Sequence, residues 1–339
     1  MTEESRPASP TTVVRWVLRG ALQLIGGGIG FLAVILAVTM TQGILVRGRL
    51  GRTRLDDVVA FSGTFGENHR GAPLSLGIMG DSLAVGYGAE SLEGTPGVIL
   101  AEGLAEASGS PVVLTNVGQV GAESTALIDQ LAQLRELTTP DVVVIIVGAN
   151  DVMRLRRLSD ALWPLSSVVR ELRRDGVQVV VATCPDLGTV HSFRQPLRFF
   201  AHWYSRVTAT GQAIVTLRAG GRSVSLVDTL GPLFRADPVG MFSAHDHLHP
   251  SNRGYEAAAS VILPSVRVAA GAPLPEDAGV RHRVYRKGSH HPLAWWAFRA
   301  SRRAGVRLTA YGSAVDRHVA PAADPARSGA AGGATSLDR

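Results

Sequence analysis

From Leu74 onward, short apolar runs alternate with longer stretches whose apolar residues recur every three or four positions. Leu74–Asp81 (LSLGIMGD) reads as a strand and Gly97–Ser108 as a helix. Residues 111–118 (PVVLTNVG) form a second strand and Ala122–Leu137 a second helix. Asp141–Asp151 (DVVVIIVGAND) is the clearest strand, β-branched and apolar throughout, as the centre of a parallel sheet requires. A helix through Ser167–Arg174 leads to a strand at Val177–Asp186. A helix near Ser205–Ala219, a strand over Arg222–Thr229 and a helix over Ser251–Val268 complete the pattern. Strands alternating with helices predict βαβ units, hence an α/β domain whose parallel sheet is covered on both faces. Sites in such sheets form outside the carboxyl ends of the strands.

The N-terminal pattern is different. Residues 21–46 hold no charge over 26 positions, against the ~20 a helix needs to cross a hydrocarbon core. The expectation is a transmembrane helix or signal anchor, with a cleaved signal peptide as the rival. The run GGGIG lacks the strand and downstream acid of a dinucleotide loop. Residues 1–20 are a polar N-terminal segment and 47–73 a connector that includes Asp56, Asp57 and His69. Beyond 270 the sheet pattern stops. Residues 281–308 carry eight Lys/Arg and no acid around Trp295, Trp296 and Phe298, a pattern expected of a membrane-surface helix or of one packed on the domain. Residues 271–319 are thus a basic aromatic extension, and 320–339 a tail expected to be disordered. The net charge of +6 rests on arginine, Lys287 being the one lysine. Without a nucleic-acid motif, the basic balance points to a membrane and not to nucleic acid. The expected location is the cell membrane, single-pass, with the folded domain extracytoplasmic. The single cysteine, Cys184, excludes an internal disulfide framework.

The strand ends carry the chemistry. The first ends at Asp81-Ser82, the second at Asn116-Val117-Gly118 running on to Gly121, and the third at Gly148-Ala149-Asn150-Asp151. After the fifth comes HDHLHPSNRGY with Asp246 and His249. A serine, glycines, an asparagine and an Asp/His pair therefore meet at one sheet edge. These are the parts of a serine hydrolase: nucleophile, base, a carboxylate to orient the base, and oxyanion donors. Blander readings exist for each. Ser82 could cap a helix, and Asn150-Asp151 could be a turn. His245, His247 and His249 alternate, and on an extended chain could face one way towards zinc; that would leave Ser82 and Asn150 idle. Cys184, closing an apolar strand, reads as buried.

Gly80-Asp81-Ser82-Leu83, Asn116 with Gly121, Gly148-x-Asn150-Asp151 and Asp246-x-x-His249-Pro250 occur in one order across residues 74–268. In this the chain resembles the SGNH hydrolase family, the GDSL-type esterases and lipases. The resemblance implies a three-layer α/β/α flavodoxin-like parallel sheet over residues 74–270, with strand order 2-1-3-4-5 and no cofactor or metal. It makes Ser82 the nucleophile, His249 the base and Asp246 its orienting carboxylate. Ser82 and Gly121 would offer backbone N–H groups and Asn150 its side-chain amide as the oxyanion hole, with Gly118 as a substitute for Gly121. Asp81 would be a structural residue behind the nucleophile. The implied activity is hydrolysis of carboxylic esters, lipid-like ones included, through an acyl-enzyme. The alternatives are acyl transfer or deacetylation on a cell-envelope polysaccharide with the same triad, and a non-enzymatic scaffold. The aromatic stretch 191–206, with Phe193, Phe199, Phe200, Trp203 and Tyr204, could line an acyl pocket or simply pack a helix.

Overall fold

The computed structural model describes residues 30–31, 33–45 and 60–274, together with two strands at 281–285 and 306–310. After helix α1 (30–45) come β1 (Gly63–Phe65), β2 (Leu74–Gly80), α2 (Ser82–Val85), α3 (Pro96–Ser108), β3 (Val112–Asn116) and α4 (Leu127–Leu137). Then follow β4 (Val142–Ile146), α5 (Ala149–Met153), α6 (Leu158–Arg174), β5 (Gln178–Ala182), α7 (Leu197–Arg218) and β6 (Arg222–Val224). The chain continues through α8 (Leu226–Ala236), α9 (Pro238–Met241), α10 (Asn252–Ala269), β7 (Arg281–Tyr285) and β8 (Val306–Ala310).

Five strands, in the order β3-β2-β4-β5-β6, run parallel at the centre of the sheet. β4 shows why. Val142, Val144 and Ile146 enter one apolar cluster with α3, α8 and α10, while Val143, Ile145 and Val147 enter the other with α4 and α6. Period-2 alternation thus feeds two cores, so both faces must be covered by helices. Burying one such Val or Ile side chain stabilises the fold by about 1.5–3 kcal/mol.

The expectation of an all-parallel sheet is corrected at the edges. β1 pairs antiparallel with β3, and β8 antiparallel with β6, giving a mixed eight-stranded sheet. Parallel pairing is enforced only where a helical crossover links consecutive strands. β1 arrives from the connector and β8 from beyond α10, and each covers an otherwise open edge. The extension expected to be a surface helix therefore supplies strands at 281–285 and 306–310; Trp295, Trp296 and Phe298 lie outside the described residues, as do 311–339. The expected strand at 222–229 stops at Val224. Leu226, Val227, Leu230 and Phe234 have the spacing of one helical face and are buried on α8.

The transmembrane expectation is also corrected. Among the described residues no helix is long and apolar enough to cross a membrane. α1 carries Thr39, Thr41 and Gln42, and the Gln42 side chain bonds Gln195 O (3.0 Å) and Leu197 N (3.2 Å). This apolar stretch is thereby tied to the start of α7. Of the expected span, residues 21–29, 32 and 46 lie outside the described residues. With the span goes the basis for a membrane partner, a single-pass location and an extracytoplasmic domain.

Candidate active site

The end of β2 is built for close approach. Gly80 has φ +140°, and a Cβ there would stand 1.8 Å from the Ile146 carbonyl oxygen of β4, so only glycine fits. Buried Gln130 of α4 pairs with both backbone groups of Gly80, accepting from its N–H and donating to its carbonyl, each at 2.8 Å. Asp81 then caps α2 by accepting from Leu83 N at 2.9 Å. Ser82, the first residue of α2, is not the cap, and its hydroxyl is left for another partner.

That partner is His249. Ser82 Oγ lies 2.9 Å from His249 Nε2, and His249 Nδ1 lies 2.5 Å from Asp246 Oδ2. Asp246 Oδ1 also accepts from Leu248 N (2.9 Å) and His249 N (3.0 Å), which fixes the short loop around its own carboxylate. Burial raises the Asp246 pKa, but the His249 bond and charge and these two amides outweigh it and hold the carboxyl below its ordinary range. Tyr87 stands edge-on to the His249 ring at a centroid distance of 4.6 Å, and its carbonyl accepts from Tyr255 Oη at 2.7 Å. His245 and His247 are exposed. His247 has φ +54°, which breaks the extended alternation that would have aligned the three imidazoles. Among the described residues no group of three or more His, Cys, Asp or Glu is placed to hold a metal ion.

Two loops face Ser82 from the neighbouring strands. Gly121 has φ +80° and open space where a side chain would be. Among the described residues, neither the Gly121 N–H nor the Ser82 N–H is given to a protein acceptor. The Gly118 N–H is engaged by Asn116 Oδ1 at 2.9 Å, and Asn116 Nδ2 donates to Ala84 O, lashing β3 to α2. Asn150 Nδ2 donates to Ala122 O at 2.9 Å; an amide carries a second N–H, so one stays available. Glu123 receives Arg154 at 2.5 Å and Arg156 at 2.7 Å, and Asp151 accepts from the Ser124 hydroxyl at 2.8 Å. These bonds hold the loop of Gly121 against α5, which carries Asn150. Burial pushes Glu123 up, yet the two guanidiniums leave its carboxyl below the ordinary value.

Asp81 is fully buried, and its Oδ2 has no hydrogen-bond partner among the described residues. Burial, only partly offset by the Leu83 amide and the His249 charge, pushes its pKa up to about 6 from 3.8. A carboxyl raised on folding binds its proton more tightly in the native state, so stability falls as pH rises from about 4 to about 6. The shift corresponds to roughly 3 kcal/mol. Asp81→Asn is therefore expected to raise Tm at pH 7.5 and leave it nearly unchanged at pH 4; thermal melts at both values check this, and an equal shift at both would contradict it.

A cavity of about 300 Å³ opens at Ser82, His249, Gly121 and Asn150 and runs inward between α8 and α10. Its walls include Leu226, Leu230 and Phe234 of α8 and Tyr255, Ala258 and Ile262 of α10. Phe193, Phe199, Phe200 and Trp203 are not among its lining residues. Phe193 is in the core, and the other three are exposed in an edge-to-face cluster on α7. Tyr204 donates instead to the Arg156 carbonyl. Cys184 is buried, and burial pushes its thiol up. Sequence reasoning missed Tyr87 and the α8 wall; Leu226, Val227, Leu230 and Phe234 at helical spacing were the available signal for the latter.

Residues 78–257, more than half the chain, match the GDSL-like Lipase/Acylhydrolase family. The chain belongs to this family. It is 42% identical over 193 residues to the GDSL-like esterase Rv1075c of Mycobacterium tuberculosis, covering 57% of this chain and 61% of that protein. The matched GDSL region is thus a carboxylic ester hydrolase domain, and it spans less than two thirds of that relative. The crystal structure of TesA is 20% identical, with a TM-score of 0.48 over 57% of this chain and 99% of TesA. A mutant of Axe2, an acetyl-xylooligosaccharide esterase from Geobacillus, is 19% identical, with a TM-score of 0.45 over 60% of this chain and 97% of Axe2.

Proposed function

We propose that this GDSL-type domain is a serine esterase working through Ser82, His249 and Asp246 and a covalent acyl-enzyme. The observation that carries this reading is the unbroken contact from Ser82 Oγ through His249 to Asp246, at 2.9 and 2.5 Å. A serine hydroxyl is a poor nucleophile until an imidazole takes its proton. Ser82 Oγ attacks the ester carbonyl carbon as its proton passes to His249 Nε2, and the carbonyl oxygen becomes an oxyanion. Asp246, held ionised, orients the ring through Nδ1–H and balances the imidazolium charge. The oxyanion is received by the N–H groups of Ser82 and Gly121 and by the Asn150 amide. Collapse breaks the bond to the alcohol, which leaves with the proton from His249. Water then repeats the sequence, releasing the acid and restoring Ser82.

The first test is turnover of p-nitrophenyl acetate and butyrate by the full chain, with Asn150→Ala alongside. One oxyanion donor is worth ~3–4 kcal/mol in the transition state. Asn150→Ala is expected to lower kcat by roughly 10²–10³-fold with little change in KM. Wild-type turnover with an unchanged kcat in the variant would remove Asn150 from the oxyanion hole; no turnover by the wild type would count against the esterase reading itself.

A further inference from the structure

We propose that the cavity beneath α8 and α10 holds the acyl chain, and that the preferred substrates are esters of linear, medium-length fatty acids. This deepens the esterase reading and rests on Ser82 being the nucleophile.

Three observations carry it. The first is that buried apolar side chains wall the pocket: Leu226, Leu230, Phe234 and Ile262, each no more than 6% exposed, line about 300 Å³ of space beside Ser82. The wall is not loosely held. Buried Asp186 accepts from Arg235 of α8 at 3.0 Å and from His202 of α7 at 2.9 Å, while Arg206 bonds Asp228 at 3.1 Å. α8 is thus fastened to α7 and to the loop that carries Asp186.

The second observation is the lining's chemistry. Away from the catalytic residues, the α8 and α10 walls are almost wholly apolar. A sugar or charged group placed there would lose its water without finding hydrogen-bond partners. A hydrocarbon chain would gain dispersion contacts with these walls.

The third is topological. Around Ser82 the lining residues Val120, Asn150 and Met153 are partly exposed and Arg154 is exposed, whereas those contributed by α8 and α10 are all buried. In the acyl-enzyme the acyl group stays bonded to Ser82 Oγ while the alcohol must depart before water attacks. The enclosed side therefore suits the acyl chain and the open side the alcohol. An apolar cavity of 150 Å³ holds benzene, so twice that volume takes on the order of 12 carbons.

The test is kcat/KM of the full chain on p-nitrophenyl esters from C2 to C16, below their aggregation concentrations. Each methylene that enters the pocket adds up to roughly fourfold. The specificity constant should therefore climb from C2 to a maximum between about C6 and C12 and then fall. Ala258→Leu, which fills the pocket from α10, should lower the ratio of C10 to C2 activity by about tenfold or more. Leu230→Ala, which widens it from α8, should move the maximum to longer chains. Should the filling variant fail to fold, the wild-type profile and Leu230→Ala still decide. Turnover of the C2 ester with no gain on lengthening, or variants that leave the chain-length ratio unmoved, overturns the pocket assignment alone. No turnover on any ester overturns the esterase reading, and the pocket with it.

Discussion

Ser82→Ala is expected to lower kcat on p-nitrophenyl esters by on the order of 10⁵–10⁶-fold, the loss seen when a triad serine is removed from an enzyme whose triad acts as a unit. The same substitution should leave the fold intact. Among the described residues the Ser82 hydroxyl bonds only His249 Nε2, and α2 is capped by Asp81. Circular dichroism and thermal melts alongside the kinetics separate the two effects. A variant that keeps its Tm and loses turnover is the predicted result. One that loses stability by the ~1 kcal/mol typical of a missing cap while keeping turnover would return Ser82 to the capping reading.

The second large effect is expected at Asp246. Asp246→Asn preserves shape and size, but an amide can donate to His249 Nδ1 and so stabilise the tautomer that carries its proton on Nε2. That tautomer cannot accept the Ser82 proton. The expected loss in kcat is about 10⁴-fold, with KM little altered. Asp246 also accepts from the Leu248 and His249 amides, and the Asn carbonyl oxygen can keep those bonds, so the loop should hold. A loss below about tenfold, measured on the same esters, would mean that His249 is oriented by something other than Asp246.

How much of this was legible beforehand varied from element to element for physical reasons. The central strands β4 and β5 announce themselves because burial on both faces leaves Val142–Ile146 and Val179–Ala182 no polar positions. The segments around Ser82, Gly121 and Asn150 could be read because each follows a strand end, and that of His249 because Asp246, His249 and Pro250 stand close together in sequence, although α8 and α9 separate them from β6. The edge strands could not. β1 is three residues long, and no pattern of apolar and polar residues marks so short a run. α1 misled because charge-free residues satisfy a hydropathy criterion whether a helix faces lipid or is tied by Gln42 to α7. The aromatic stretch invited a substrate role, while the cavity is walled by largely apolar residues of α8 and α10, Phe234 and Tyr255 among them, brought there by tertiary packing. Gln130 and Asp81 shape the site through bonds to backbone, which side-chain pattern does not reveal.

The central claim is that Ser82 is activated by His249, and covalent labelling tests it most directly. The full chain would be treated with a fluorophosphonate, its intact mass recorded and the adduct mapped by peptide mass spectrometry. The account predicts one adduct per chain, on the peptide that contains Ser82, absent from Ser82→Ala and strongly slowed in His249→Ala. An adduct on a different residue, or labelling of Ser82→Ala at the wild-type rate, would contradict it.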